Sequence, residues 1–181
     1  MNAPSVPRQF EIGAPSFERR LQAAQRVQAA GYPVRVRLDP IVPVEGWREE
    51  YAETIGRIFE VLEPERITLG TLRFEPGFFR ARKSLLTTGD ALEPFLAGMA
   101  PMFEPQVFGG KRKVGKYSFT EEEWVEIFSF ALGETGKHAP DVNVALCKES
   151  AAVWEQVGLN LSRCACVCQV GEVDIVGGAG V

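Results

Sequence analysis

The sequence is poor in the residues that metal and redox sites use, since its 181 residues include one histidine and four cysteines. It has no uninterrupted apolar run near the roughly 18 to 20 residues that a membrane-spanning helix needs, and no charged start followed by an apolar stretch. The net charge of −4 argues against coating nucleic acid through overall charge, although a local basic patch is compatible with it. The composition therefore predicts a cytoplasmic globular protein without a membrane partner.

The cysteines are unevenly placed. Three of them form an alternating run made of Cys164, Cys166 and Cys168. This spacing is poor for mutual disulfides, but strand-like alternation would put the three thiols on one side, where they could bind a metal. A closed zinc site needs a fourth ligand, and the single histidine, His138, falls at the end of a predicted helix. The run is therefore either an accessory metal site or a reactive segment, in a flexible tail of residues 161–181 that follows a domain of residues 1–160.

Hydrophobic periodicity predicts strands that alternate with helices. Residues 34–38 alternate between apolar residues and arginines, at the period of two that a strand gives, and Asp39-Pro40 is expected to end this strand. The proline-containing residues 1–15 are expected to be an irregular lead-in before a helix capped by Ser16. The other predicted elements are helices at 47–62, 78–86, 124–140 and 150–157 and strands at 67–72 and 141–147, with Ser118 and Thr120 each followed by a glutamate three places later as in a capping box.

This order of elements indicates an α/β fold with about three parallel strands covered by helices. Three parallel strands are too few to close a barrel, and a parallel sheet is nearly always covered on both faces. We therefore interpret the chain as the C-terminal half of a partial (βα) barrel, and expect a missing N-terminal half to pack on the open sheet edge. The alternative is a self-contained α/β domain of three or four strands.

Polar residues follow two of the predicted strands, at the ends where parallel βα folds bind ligands. The carboxylate of Asp39 could accept hydrogen bonds from ribose hydroxyls or an amine, or could simply cap the loop. Arg73 occupies the corresponding place after the second strand. Arg35 and Arg37 share one side of the first strand, facing either a barrel interior, where they would need anionic partners, or water along an exposed edge.

A basic loop is predicted at residues 109–117, where four cations stand among three glycines. Glycines let the backbone approach a phosphate, and lysine and arginine neutralise it. The spacing is not that of a Walker A loop. Lys111, Arg112 and Lys113 are therefore candidate contacts to DNA or another phosphate, in a non-enzymatic binding module, or they form a solvated surface turn.

Four segments of the sequence carry a resemblance to a known family. They are FEIGAPSFERRLQAAQRVQAAGYPVRVRLDPIVPVEGWREEY, ITLGTLRF, VGKYSF and VNVALCKESAAVWEQVGL, within about residues 1–160. Their order and spacing resemble the C-terminal half of the spore photoproduct lyase family of radical S-adenosylmethionine proteins. The resemblance implies a partial barrel of radical SAM type, in which a Cys-x-x-x-Cys-x-x-Cys motif of the N-terminal half holds a [4Fe-4S] cluster. It also implies cleavage of S-adenosylmethionine to a radical that acts on a thymine photodimer in DNA.

The same resemblance implies roles for particular residues. It places Asp39 and Arg73 near the nucleoside cofactor, and matches Lys116 and Tyr117, as candidate catalytic residues, to the family's Gly-Lys-Tyr after the substrate loop. Lys111-Arg112 stands where lyases that repair spore DNA carry Arg-Tyr. No cysteine matches the cluster motif. The chain is thus expected to be a lyase-like protein without its cluster-binding half, with repair, a related reaction, or an inactive fragment as alternatives.

Overall fold

The computed structural model describes residues 1–11, 13–75, 77–78, 99–101, 106–108, 111–113 and 116–160. In chain order its elements are α1 (Ser5–Phe10), α2 (Phe17–Ala29), β1 (Arg35–Ile41), α3 (Trp47–Val61), β2 (Arg66–Thr71), β3 (Arg73–Phe74), β4 (Ala100–Pro101), β5 (Gln106–Phe108), β6 (Lys111–Lys113), β7 (Tyr117–Ser118), α4 (Glu121–His138), β8 (Asn143–Leu146) and α5 (Ala151–Gln156). The chain forms two compact units, one made of Met1–Gly70 with Val125–Val181 and the other of Thr71–Trp124.

The first unit contains a parallel sheet of three strands in the order β1-β2-β8. β2 and β8 pair from Arg66 opposite Asn143 to Leu69 opposite Leu146. The amide of Cys147 then donates to the Leu69 carbonyl at 2.7 Å, which continues the pairing by one residue. Every residue of the central strand β2 is buried. The predicted α/β fold with three parallel strands is therefore confirmed.

β1 is an edge strand with one buried and one open face. Val36 and Leu38 are buried, whereas Arg35 and Arg37 are exposed, as expected for an edge strand with its polar side in water. The strand does not end at Asp39-Pro40 but continues to Ile41, so that boundary was wrong. An edge strand tolerates the missing N–H of a proline, which a central strand would not.

The start of the chain is not irregular, because Ser5–Phe10 forms helix α1. Pro4 is its N-cap and Pro7 lies in its first turn, where backbone N–H groups have no acceptor inside the helix and a proline is tolerated. Ala3 and Val6 are fully buried. Tertiary packing therefore stabilises a helix that the proline content alone argued against.

The other helices of the first unit follow their predicted signals. Ser16 Oγ accepts a hydrogen bond from the Arg19 amide at 3.4 Å, and Ser150 Oγ accepts one from the Val153 amide at 3.3 Å. α3 buries the predicted face, which consists of Trp47, Tyr51, Thr54, Ile55 and Ile58. Among the described residues, no helix is long and apolar enough to cross a membrane.

The second unit contains short antiparallel strands. β7 lies between β3 and β4, and β5 pairs with β6. Arg73–Phe74 is therefore a strand of its own rather than the end of the second predicted strand. The predicted helix at 78–86 lies outside the described residues except for Phe78. Thr120 forms the predicted capping box with Glu123, whereas Ser118 lies in β7 and donates to the Leu72 carbonyl at 2.7 Å.

Within the predicted basic loop of residues 109–117, Lys111–Lys113 forms β6 and pairs antiparallel with Gln106–Phe108, so at these three residues the loop prediction was wrong. Gly109 and Gly110 separate the two strands in sequence. A Gly-Gly pair between two strand segments is a hairpin signal. The three consecutive cations suggested phosphate binding, but their charge does not predict whether the backbone forms a loop or a strand.

Candidate functional site

Asp39 is part of a three-residue cluster on the open face of β1. Its Oδ2 lies 2.6 Å from Nη2 of Arg37, two residues earlier on the same strand. The same nitrogen of Arg37 lies 2.9 Å from Sγ of Cys147, just after β8. The side chains of Arg37 and Asp39 keep 47% and 22% of their surface exposed, so the pair is accessible. One guanidinium thus holds a carboxylate and a thiol together.

Gly70 in β2 makes room for this cluster. A Cβ at position 70 would lie 2.6 Å from Asp39 Cγ and 3.2 Å from Asp39 Cβ, distances at which something must shift. Since Gly70 is buried in the central strand, its backbone has little freedom to retreat. Gly70 was not predicted as part of the site, although a glycine inside a strand often marks a close approach of another group.

Charge and burial keep the two partners of Asp39 protonated. The hydrogen bond that Arg37 donates to Asp39 raises the pKa of the Arg37 guanidinium above its usual value. Burial, followed by the charge of Asp39, raises the pKa of the Cys147 thiol to about 11, against the opposing contact with Arg37. At neutral pH the cluster therefore contains the Arg37–Asp39 ion pair and a neutral Cys147 thiol.

The other candidate residues near the predicted cofactor and substrate lie in the second unit. In its sheet, Arg73 is paired with Ser118 and Phe74 with Tyr117. Lys116 Nζ forms an ion pair of 2.8 Å with Glu75 Oε1, and both side chains are exposed. The pairing of β3 with β7 therefore brings Arg73, Lys116 and Tyr117 close together. These residues belong to the second unit, whereas Asp39 belongs to the first.

The predicted metal ligands are not part of this arrangement. Cys164, Cys166 and Cys168 lie outside the described residues, so the metal site and the separate tail of residues 161–181 stay predictions. Within the described part of the chain, no group of three or more histidine, cysteine, aspartate or glutamate residues could hold a metal ion. His138 ends α4, where its ring stacks on Phe59 with centroids 5.9 Å apart.

Comparison with known proteins relates the first part of the chain to one family. Residues 1–87 match the family model of spore photoproduct lyase. The spore photoproduct lyase of Geobacillus sp. (strain Y412MC61) is 29% identical over 127 residues, which are 70% of this chain and 37% of that relative. The spore photoproduct lyase of Bacillus subtilis (strain 168) is 38% identical over 58 residues, which are 32% of this chain and 17% of that relative.

Solved structures show the same fold. A spore photoproduct lyase complexed with dinucleoside spore photoproduct matches with a TM-score of 0.62 at 24% identity, over 81% of this chain and 43% of that one. A mutant with bound AdoMet and dinucleoside spore photoproduct matches with a TM-score of 0.60 at 24% identity, over 81% of this chain and 42% of that one. This chain thus spans less than half the length of these relatives.

The fold, an α/β arrangement with three parallel strands, matches part of the fold of these solved spore photoproduct lyases. Within the chain, residues 1–87 are similar to the spore photoproduct lyase family through the match to its model. The resemblance deduced from the order of sequence segments is therefore confirmed.

Proposed function

We propose that this chain forms the part of a spore photoproduct lyase-like radical SAM protein that binds the nucleoside portion of the cofactor and contacts nucleic acid. The observation that carries the proposal is the Asp39 carboxylate, held by Arg37 above Gly70 near the end of a parallel strand. Carboxyl ends of parallel strands are where such folds bind ligands. The relatives solved with AdoMet and dinucleoside spore photoproduct support the choice of ligands.

In this proposal the residues of the chain bind and orient the cofactor and the substrate. Asp39 accepts hydrogen bonds from the nucleoside. In the second unit, Arg73 of β3 is a proposed cationic contact. When bound, S-adenosylmethionine supplies the radical chemistry for which the class is named. The pairing of β7 with β3 brings Tyr117 and the preceding Lys116 close to Arg73. We propose that Lys116 and Tyr117 contact the reacting substrate.

The residues of this chain do not fit the [4Fe-4S] cluster. The described residues contain no group of metal-ligating side chains, and the four cysteines of the sequence lack the Cys-x-x-x-Cys-x-x-Cys spacing. We therefore assign the cluster to no residue of this chain. We propose that its ligands belong to a second half that packs along the β1 edge of the sheet.

DNA is the proposed macromolecular partner. Two relatives were solved with a dinucleoside spore photoproduct, which is a fragment of damaged DNA. In this chain, the three consecutive cations Lys111–Lys113 form β6 and are the proposed phosphate contacts. The same cations favour the second candidate function, a nucleic-acid-binding module without catalysis.

Calorimetric titration with S-adenosylhomocysteine, which presents the same adenosine group, tests the proposed cofactor site. We expect saturable binding to the natural chain and a loss of about tenfold or more for Asp39→Asn, because the amide is a weaker acceptor than the carboxylate. Asp141→Asn, which removes an exposed carboxylate of the same unit, is the control and should leave affinity unchanged. Absence of binding to the natural chain, or equal effects of the two substitutions, contradicts the proposal.

A further inference from the structure

We propose that Arg37 and Gly70 are positioning residues that hold Asp39 as one half of a charge-neutral pair, so that the site selects a neutral ribose diol over a cationic amine. This inference rests on the proposed nucleoside site and specifies which ligand chemistry it accepts. Asp39 alone is compatible with both hydroxyl and ammonium donors, because a carboxylate only accepts hydrogen bonds.

Gly70 determines where the carboxylate can lie. Asp39 occupies the space of the missing side chain, with its Cγ 2.6 Å from where a Cβ would be. Any larger residue must displace the Asp39 side chain, since position 70 lies in the buried central strand. The position of the carboxylate is therefore determined by β2, although the residue itself belongs to β1.

Arg37 determines the charge that a ligand meets. Its Nη2 lies 2.6 Å from Asp39 Oδ2 and 2.9 Å from Cys147 Sγ, so the cation is adjacent to the acceptor. A ligand ammonium drawn to Asp39 would approach this guanidinium and be repelled by it. A hydroxyl donor carries no net charge and meets no such repulsion. With 22% of the Asp39 side chain exposed, the carboxylate remains accessible to such a donor.

The neighbouring Arg35 provides a matched comparison. It lies on the same side of β1, two residues earlier, and its Nε pairs with Glu65 Oε2 at 2.9 Å. Both arginines are exposed and each pairs with one carboxylate. Only Arg37 contacts Asp39, so only its removal should alter ligand selection.

The test compares adenosine with 3′-amino-3′-deoxyadenosine, in which one ribose hydroxyl is replaced by an amine. Binding is measured by calorimetry at about pH 6, below the ordinary pKa of an aliphatic amine of this kind. The natural chain should prefer adenosine. Arg37→Gln, which leaves the carboxylate without its cation, should reverse the preference, with a change of about tenfold or more in the ratio of the two affinities. Arg35→Gln should leave the ratio unchanged, and Arg37→Lys, which restores the positive charge, should restore the preference for adenosine.

Gly70→Ala provides a second measurement. It should weaken adenosine binding while leaving the affinity for 2′,3′-dideoxyadenosine, which has no diol, unchanged. Circular dichroism confirms the fold of each variant, and if Gly70→Ala does not fold, the Arg37 variants decide the question alone. An unaltered affinity ratio in Arg37→Gln overturns the inference but not the nucleoside site. If the natural chain binds neither adenosine nor its amino analogue, both the site and the inference are wrong.

Discussion

The carboxylate of Asp39 occupies the space that a side chain at Gly70 would fill, with Cγ 2.6 Å from the position of the missing Cβ. The two residues belong to neighbouring strands of the parallel sheet, β1 and β2. Nη2 of Arg37 donates to Oδ2 of the same carboxylate at 2.6 Å. A glycine without a side chain and an arginine two residues before the aspartate thus determine together where the acceptor lies.

Replacement of Gly70 by alanine tests this close fit through stability. Because the central strand is buried, the added methyl group should displace Asp39 and weaken its contact with Arg37. We expect a loss of about 1–3 kcal/mol in the free energy of unfolding, measured by urea denaturation. Gly133→Ala in α4 is the control, since a Cβ there meets no atom within 4 Å. That change should stabilise the protein by up to about 1 kcal/mol. Equal effects of the two substitutions would contradict the proposed fit.

Tyr51 links the start of the chain to the segment after β1. Its buried hydroxyl accepts a hydrogen bond from the Val42 amide at 3.0 Å and donates one to Asn2 Oδ1. Burial raises the pKa of the phenol, so the hydroxyl stays protonated and available as a donor. Tyr51→Phe leaves the buried Val42 amide unpaired and should cost about 1–3 kcal/mol in urea denaturation.

Tyr32 provides the matched control for this change, because 66% of its surface is exposed. Tyr32→Phe should alter the free energy of unfolding by no more than about 0.5 kcal/mol. If Tyr51→Phe changes the free energy of unfolding no more than Tyr32→Phe does, the hydrogen bonds of Tyr51 do not stabilise the packing of the first residues.

The basic strand Lys111–Lys113 is predicted to bind single-stranded DNA through phosphate contacts. Replacing all three cations with glutamine should weaken binding in fluorescence anisotropy titrations. It should also reduce the slope of log affinity against log salt by about 2, since each lost phosphate contact to a single strand contributes about 0.7.

A second triple variant, which also removes three positive charges, controls for the effect of net charge on DNA binding. Arg19, Arg26 and Lys137 are exposed residues of the first unit, and their replacement by glutamine should leave the salt slope unchanged. The proposed phosphate-binding role of β6 is wrong if both triple variants show the same reduction in the slope of log affinity against log salt. It is also wrong if DNA binding by the natural chain does not depend on salt.

The thiol of Cys147 predicts a dependence of stability on alkaline pH. Burial and the charge of Asp39 raise its pKa from 9.0 to about 11, so the folded state keeps the proton that the unfolded state loses first. The stabilising contribution is complete below about pH 9 and is lost as the pH rises toward about 11. Stability measured across this range should fall less steeply in Cys147→Ser than in the natural chain. Parallel curves for the two proteins would show that the thiol has no raised pKa.

The cysteine run Cys164, Cys166 and Cys168 is predicted to be either a metal site or a reactive segment. If it binds metal, purified protein should contain near-stoichiometric zinc or iron that is lost in the double variant Cys164→Ser and Cys166→Ser. Cys147→Ser is the control and should retain the metal, because Cys147 is buried and contacts Arg37. Negligible metal in the natural chain, with all three thiols open to a thiol reagent, would eliminate the metal site.

Anaerobic reconstitution with iron and sulfide tests the assignment of the cluster to another half. The cysteines of this chain lack the spacing of the family's cluster motif, so we expect no stable [4Fe-4S] signal in absorbance or spin-resonance spectra. A stable cluster that cleaves S-adenosylmethionine would show that these cysteines replace the usual ligands.

The sequence by itself determined the elements whose signals are local. Alternation at residues 34–38 identified a strand with Arg35 and Arg37 on one side, and Ser16, Thr120 and Ser150 identified helix starts, because caps and periodicity depend only on near neighbours. The order of segments also indicated the resemblance to the spore photoproduct lyase family, which the match over residues 1–87 confirms.

Tertiary structure alone decided the rest. In α1, Val6 is buried and the Ser5 amide donates to Glu50 Oε1 at 2.8 Å, far along the chain. Lys111–Lys113 is a strand because Gln106–Phe108 pairs with it. The cluster of Arg37, Asp39 and Cys147 joins residues 110 positions apart in the sequence. Gly70 makes room for this cluster because it has no Cβ. No local sequence pattern reveals which side chain fills the space beside a glycine.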